Sequence, residues 1–245
     1  MKMANEIVRE SEEGGRLSSS LRQGLIGEYL FDGSAEDTSG HGRHGRVEGA
    51  ALTANRFGEA NRAYAFSGQG DCIVLDPPPA FHAEAFAMSV WVNYDREAVM
   101  EWWNNAILSQ DDNGVHAGGS RRVFQLSTKG EHITLHLMMQ APDLASKLPI
   151  ERGVWYHVAA VYDGAEYKLY LNGELQAVQA GSFRPKAEEP VYIGKKHSEE
   201  PRFWFHGALD DVRFYNRVLS ESEISELYTE HGFRSRTART PRIRD

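Results

Sequence analysis

Two adjacent tryptophans, Trp102 and Trp103, stand in the otherwise polar stretch EWWNNAILSQDDNGVHAGGSRR, with Asn104, Asn105, Asp111, Asp112 and Asn113 close by. Sugar recognition calls for this mixture. A flat ring stacks on the CH face of the pyranose or furanose, and amides or carboxylates bond its hydroxyls. Trp102, Trp103, Asn104, Asp111, Asp112 and Asn113 are therefore candidate ligand contacts, carried by two loops around one strand. The competing reading makes one of the rings a plug over the edge of the domain. DDNG at 111–114 lacks both the spacing and the distal Glu of an EF-hand. The 10 histidines show no His-x-x-x-His or Cys/His spacing of a zinc site. The single Cys72 excludes an internal disulfide, and its place in an alternating run marks it as a small buried apolar residue.

Loops of this kind need a scaffold, and the clearest part of it is WYHVAAVYDGAEYKLYLNGELQAV, residues 155–178. Asp163-Gly164 and Asn172-Gly173 are turn signals between strongly alternating runs, and Asn-Gly favours the type I′ hairpin. Tyr167, Leu169 and Leu171 are expected on one face, with Lys168 and Tyr170 on the other. Further short strands are expected at 24–33, around Tyr64–Leu75, at Phe86–Asp95, and at Ala106–Ser109, Val123–Ser127, His132–Met138, Val191–Gly194 and Gly207–Tyr215. The Gly-, Ser- and His-rich stretch 34–49 reads as loop. One helix is expected over 219–232, with Ser220 as N-cap, Glu223 completing a capping box, an apolar face of Ile224, Leu227 and Tyr228, and Gly232 as the stop. Many short strands with turn signals between them argue for an antiparallel sandwich rather than βαβ units.

Several segments carry a family resemblance when taken together. LIGEYLFDGSAEDTSGHGRHG, AYAFSGQGDCIVL, FAMSVWVNY, WYHVAAVYDGAEYKLYLNGEL and FHGALDDVRFYNRVLSESEISELY resemble, in order, the successive strands of laminin-G-like jelly-roll domains of the concanavalin A-like superfamily. The resemblance spans about residues 24–232. It implies an all-β fold: a two-sheet antiparallel jelly-roll sandwich with one short C-terminal helix. It also implies that Trp91 and Trp155 are packing residues, and that His157 is a structural strand residue.

The resemblance further implies a calcium ion near one edge of the sandwich. Asp210 matches the Asp that precedes Val-Arg in the closing strand, and carbonyls of the Gly68–Gly70 turn with oxygens near Glu28 and Asp32 would complete the shell, as calcium's demand for six to eight oxygens requires. The other reading has Asp210 and Asp211 flank a strand and pair with Arg213. A retaining glycosidase on this fold would carry closely spaced carboxylates on one strand. The concave-face candidates VFQLSTKG and ITLHLMMQ carry none.

Composition sets the outer limits. The chain has 245 residues, 41% of them hydrophobic, enough for a real core. A net charge of −8 argues against nucleic acid as the main partner, and no run is long and apolar enough to span a membrane. The first 22 residues read as a flexible lead-in, 23–232 as the jelly roll, and 233–245 as an Arg-rich basic tail. The N-terminus shows no apolar secretory core, which points to the cytoplasm as written, or outside the cell if the chain is a fragment of an exported protein. The expected function is a non-catalytic, calcium-stabilised module that binds carbohydrate or a glycosylated partner. The alternatives are a protein-interaction or structural jelly roll without a sugar site, and a glycan-active hydrolase.

Overall fold

A computed structural model describes residues 17–100, 104–111, 123–137, 140–197 and 201–230. The strands form two antiparallel sheets. One follows the order β13 (Glu174–Ala180), β12 (Glu166–Leu171), β11 (Trp155–Tyr162), β6 (Phe86–Tyr94), β15 (His206–Tyr215), β4 (Ala63–Ser67) and β3 (Ala51–Thr53), with β1 (Leu25–Tyr29) also pairing along β15. The other follows β10 (Gln140–Ala145), β9 (His132–Leu137), β8 (Phe124–Lys129), β7 (Asn104–Gln110), β14 (Val191–Ile193), β5 (Cys72–Leu75) and β2 (Arg46–Glu48). This is the expected sandwich.

Period-two alternation builds the core. Along β6, Phe86, Met88, Val90, Val92 and Tyr94 enter the space between the sheets, while Ala87 and Trp91 face outward. Burial of each large side chain there contributes about 1.5–3 kcal/mol. From β8 and β9 the same core takes Phe124, Leu126, Ile133 and Leu135. Their sequence neighbours Gln125, Ser127, Thr134 and His136 therefore stand on the opposite, outer face of the seven-stranded sheet.

The 155–178 meander forms as expected. Asn172 (φ 52°) and Gly173 (φ 81°) both occupy the left-handed region that a type I′ turn demands. The Asn172 Oδ1 also accepts the His157 N–H at 2.9 Å, which ties the turn to β11. Tyr167, Leu169 and Leu171 point into the core, and Tyr170 points the other way.

Helices cover the outer face of the eight-stranded sheet. The C-terminal helix spans Glu221–Thr229, with Ser220 and Glu223 making a complete capping box. Its buried Ile224 and Leu227 pack on Ala87, Ala159, Val161 and Tyr170. The stop expected at Gly232 lies outside the described residues. A short helix, Ser19–Arg22, adds fully buried Leu21 to this layer. That segment was expected to be lead-in; one large apolar side chain with a cluster to join is enough to dock it. β2 and β3 are a second difference, since 34–49 reads as loop and Ala51–Thr53 shows no strand signal. They are three-residue edge strands, largely exposed, whose pairing with β5 and β4 comes from backbone bonds rather than from buried side chains.

Candidate functional site

β7 is the middle strand of the seven-stranded sheet, so the segment singled out for ligand contacts is placed at that sheet's centre. Asn104 begins β7 and pairs with Thr128, and Asp111 follows its last residue. Trp102, Trp103, Asp112 and Asn113 lie outside the described residues.

Registration across the strands lines up a polar row on the outer face. Tyr192 pairs with Ser109, Ser109 with Gln125, and Gln125 with His136. His136 Nδ1 meets the carboxylate of Asp143 on β10. Beside the row, the hydroxyls of Ser127 and Thr134 are 3.3 Å apart. Ser109 donates from Oγ to the Lys195 carbonyl at 2.9 Å. At the far end, Lys196 Nζ lies 3.6 Å from an Asp111 carboxylate oxygen, and the Tyr192 and His197 rings stack with centroids 5.1 Å apart.

One member of this row is anomalous. Gln125 is 1% exposed, and neither its Oε1 nor its Nε2 has a hydrogen-bond partner among the described residues. A buried primary amide can donate two bonds and accept two, and leaving them unmade costs about 1–3 kcal/mol. Its flanking neighbours Ser109 and His136 already have partners, so the deficit is concentrated at one amide. The reading of 101–113 did not name Gln125, Ser109, His136 or Asp143. The signal was present as the polar phase of the alternation in VFQLSTKG and ITLHLMMQ.

The residues expected to hold calcium divide between two places. Glu28, Asp32 and Asp210 line one cavity of about 470 Å³ on the outer side of the eight-stranded sheet. Gly68 and Gly70 do not line it; they lie against His206 and Trp204, at the start of β15. Within the cavity the carboxylates are already committed. Arg56 Nη1 donates to Asp210 Oδ2 at 2.5 Å and Nη2 to Asp211 Oδ2 at 2.7 Å. Arg213 Nε donates to Glu28 Oε1 at 3.0 Å, and its Nη1 to Glu230 at 2.8 Å. The second Glu28 oxygen accepts the Thr38 hydroxyl at 2.8 Å.

Burial, and then the adjacent Asp211, push the Asp210 carboxyl up to about 8, against the pull of Arg56. These donors do not fit a calcium ion at Asp210, because Arg56 stands where the cation's charge would act. No group of three or more His, Cys, Asp or Glu poised for a metal occurs among the described residues. The hydrogen-bonding partner of Asp210 and Asp211 is Arg56 rather than Arg213, although the Asp211 charge still favours the Arg213 guanidinium.

His157 is a packed strand residue. Its Nε2 is 2.8 Å from the Ser89 hydroxyl, and burial first, then the charges of Arg213 and Arg56, hold its pKa down at about 3. Trp91 is fully buried, stacked on Tyr228 with centroids 5.8 Å apart, whereas Trp155 is half-buried.

Comparison with known proteins places this architecture. A family model described as the concanavalin A-like lectin/glucanases superfamily matches residues 67–225. Mouse pappalysin-1 is 24% identical over 213 residues, covering 75% of this chain but only 12% of that protein. Domain 4 of AbnA, an extracellular arabinanase of Geobacillus stearothermophilus solved with arabinotriose, superposes with a TM-score of 0.61 at 20% identity, over 83% of this chain and 98% of that one. The binding domain of Paraclostridial Mosquitocidal Protein 1 superposes with a TM-score of 0.67 at 16% identity, over 85% of this chain and 52% of that one. The botulinum neurotoxin serotype D binding domain gives 0.66 at 17%, over 86% and 52%. With the sandwich, the closing strand and the capped helix all in place, the chain belongs to the concanavalin A-like lectin/glucanase superfamily.

Proposed function

We propose that this domain is a non-catalytic glycan-binding module whose contact floor is the polar row on the outer face of the seven-stranded sheet. The observation that carries this reading is the amide of Gln125 at the centre of the row, which has no partner among the described residues. A buried amide with no internal partner is held at a cost, and a ligand rich in hydroxyls supplies both donors and acceptors to it. Ser109 and the His136–Asp143 pair flank it with further polar atoms, and the Tyr192–His197 stack ends the row in aromatic surface. The solved relative bound to arabinotriose shares this fold and supports a sugar ligand for the class. Strands β8 and β9 carry no carboxylate, and the acids beside them, Asp143 and Asp111, are engaged by His136 and Lys196, unlike the closely spaced pair that glycoside hydrolysis uses.

Calcium has no role in this reading. The test is to screen the full chain against a glycan array that includes arabino-oligosaccharides. Retention of at least one glycan, competed by the same glycan in solution, is expected. A chain that retains none contradicts the proposal.

A further inference from the structure

We infer that Arg56 is a built-in counterion: its guanidinium supplies the positive charge that the Asp210–Asp211 pair would otherwise take from a divalent cation. Strand β15 is broken where the pair sits. Pairing with β6 slips between Asp210 and Arg213, and Asp211 sits at φ 46°, an uncommon conformation for a residue with a side chain. This bulge turns two consecutive carboxylates to one side, where strand alternation would have separated them. Two acids so placed need a shared cation.

The loop between β3 and β4 delivers one. Asn55 Oδ1 accepts the N–H groups of Phe57 and Glu59, each at 3.0 Å, and its own N–H donates to the Glu59 carbonyl at 3.0 Å. Gly58 at φ 83° closes the turn, and the Arg62 N–H returns to the Thr53 carbonyl at 3.0 Å. Arg56 therefore projects from a self-braced loop, with one Nη directed at each carboxylate. The flat fork matches two separate acceptors, which a point-like ammonium does not. The guanidinium also lies 4.6 Å from the Phe57 ring and 4.7 Å from the Trp91 ring, contacts that favour a weakly hydrated cation.

Of the guanidinium groups lining this cavity, Arg56 is the one that bonds both members of the aspartate pair. Arg213 bonds Glu28 and Glu230, and Arg62 lies 3.6 Å from Asp32. Without Arg56, two adjacent carboxylates would face a cavity of about 470 Å³. Hard oxygen donors of that kind are what calcium selects. The chain's own side chain fills the role, so the fold does not depend on the ion.

Thermal unfolding of the full chain in calcium and in chelator tests this, for the parent, for Arg56→Gln, and for Arg56→Gln combined with Asp210→Asn. The parent curves are expected to coincide. Arg56→Gln is expected to melt lower in chelator and to shift upward on adding calcium, because a ligand that binds only the native state stabilises it. Adding Asp210→Asn should remove that shift. If Arg56→Gln does not fold in chelator, refolding on addition of calcium is the expected result and failure to refold the contrary one. A parent that shifts with calcium as far as the variant, or a variant indifferent to calcium, overturns the inference.

Discussion

Replacing Gln125 by Leu should stabilise the fold while abolishing ligand binding. The side chain is 1% exposed and both amide atoms lack partners among the described residues. An apolar residue of similar size removes the unsatisfied donors and acceptor at little steric cost. The expected gain is about 1–3 kcal/mol, the desolvation penalty of an unpaired polar group. For a domain of this length that corresponds to about 2–4 °C in melting temperature per kcal/mol. Urea unfolding should show a higher midpoint with an unchanged slope, the signature of a stability change without a change in compactness. Ser127→Val is the control. It strips Thr134 of its 3.3 Å partner and should cost stability, about 1 kcal/mol. A Gln125→Leu protein less stable than the parent would mean that the amide is bonded within the folded chain, and the reasoning from its deficit would fail. A buried polar group held at a cost in stability fits a role in function, so loss of binding together with a gain in stability is the specific pattern expected here.

Two further consequences follow from burial and backbone geometry. His157 is held near pKa 3 in the folded protein against 6.5 unfolded, so the unfolded state binds more protons between those values. Stability tied to this residue is present above about pH 6.5 and is lost as pH falls toward 3, and His157→Gln should flatten that acid-side loss in a series of pH-dependent melts. A slope unchanged in the variant would show that other groups carry it. Gly194, at φ 91°, lies against the Phe66 ring, where a Cβ would collide with the ring carbons. Gly194→Ala should be among the most destabilising single changes, about 3 kcal/mol or more, from clash and left-handed strain together. Equal denaturation midpoints for variant and parent would refute this.

The parts legible in the sequence were those governed by local rules. Alternation placed β6, β11 and β12 and assigned Tyr167, Leu169 and Leu171 to the core, and the Ser220–Glu223 box fixed the start of the last helix. Features that depend on distant partners were not legible. Arg56 and Asp210 are 154 positions apart, and nothing in NRFGEA marks its Arg as the one that reaches β15. β2 and β3 were unreadable for a different reason: three exposed residues carry no periodicity. The polar floor was half legible. Its residues occupy the polar phase of two strands already identified, but that the Gln125 amide has no partner among the described residues depends on how β7, β8 and β9 register.

The central claim, that the outer face of the seven-stranded sheet binds a glycan through Gln125, is tested most directly by equilibrium binding of array-identified glycans to the parent and to Gln125→Leu. The account predicts that the parent binds at least one glycan and that the variant binds it about tenfold more weakly or worse, a loss of ~1.4 kcal/mol or more, while melting no lower than the parent. A parent that binds no glycan, or a variant that binds as tightly as the parent, would contradict it.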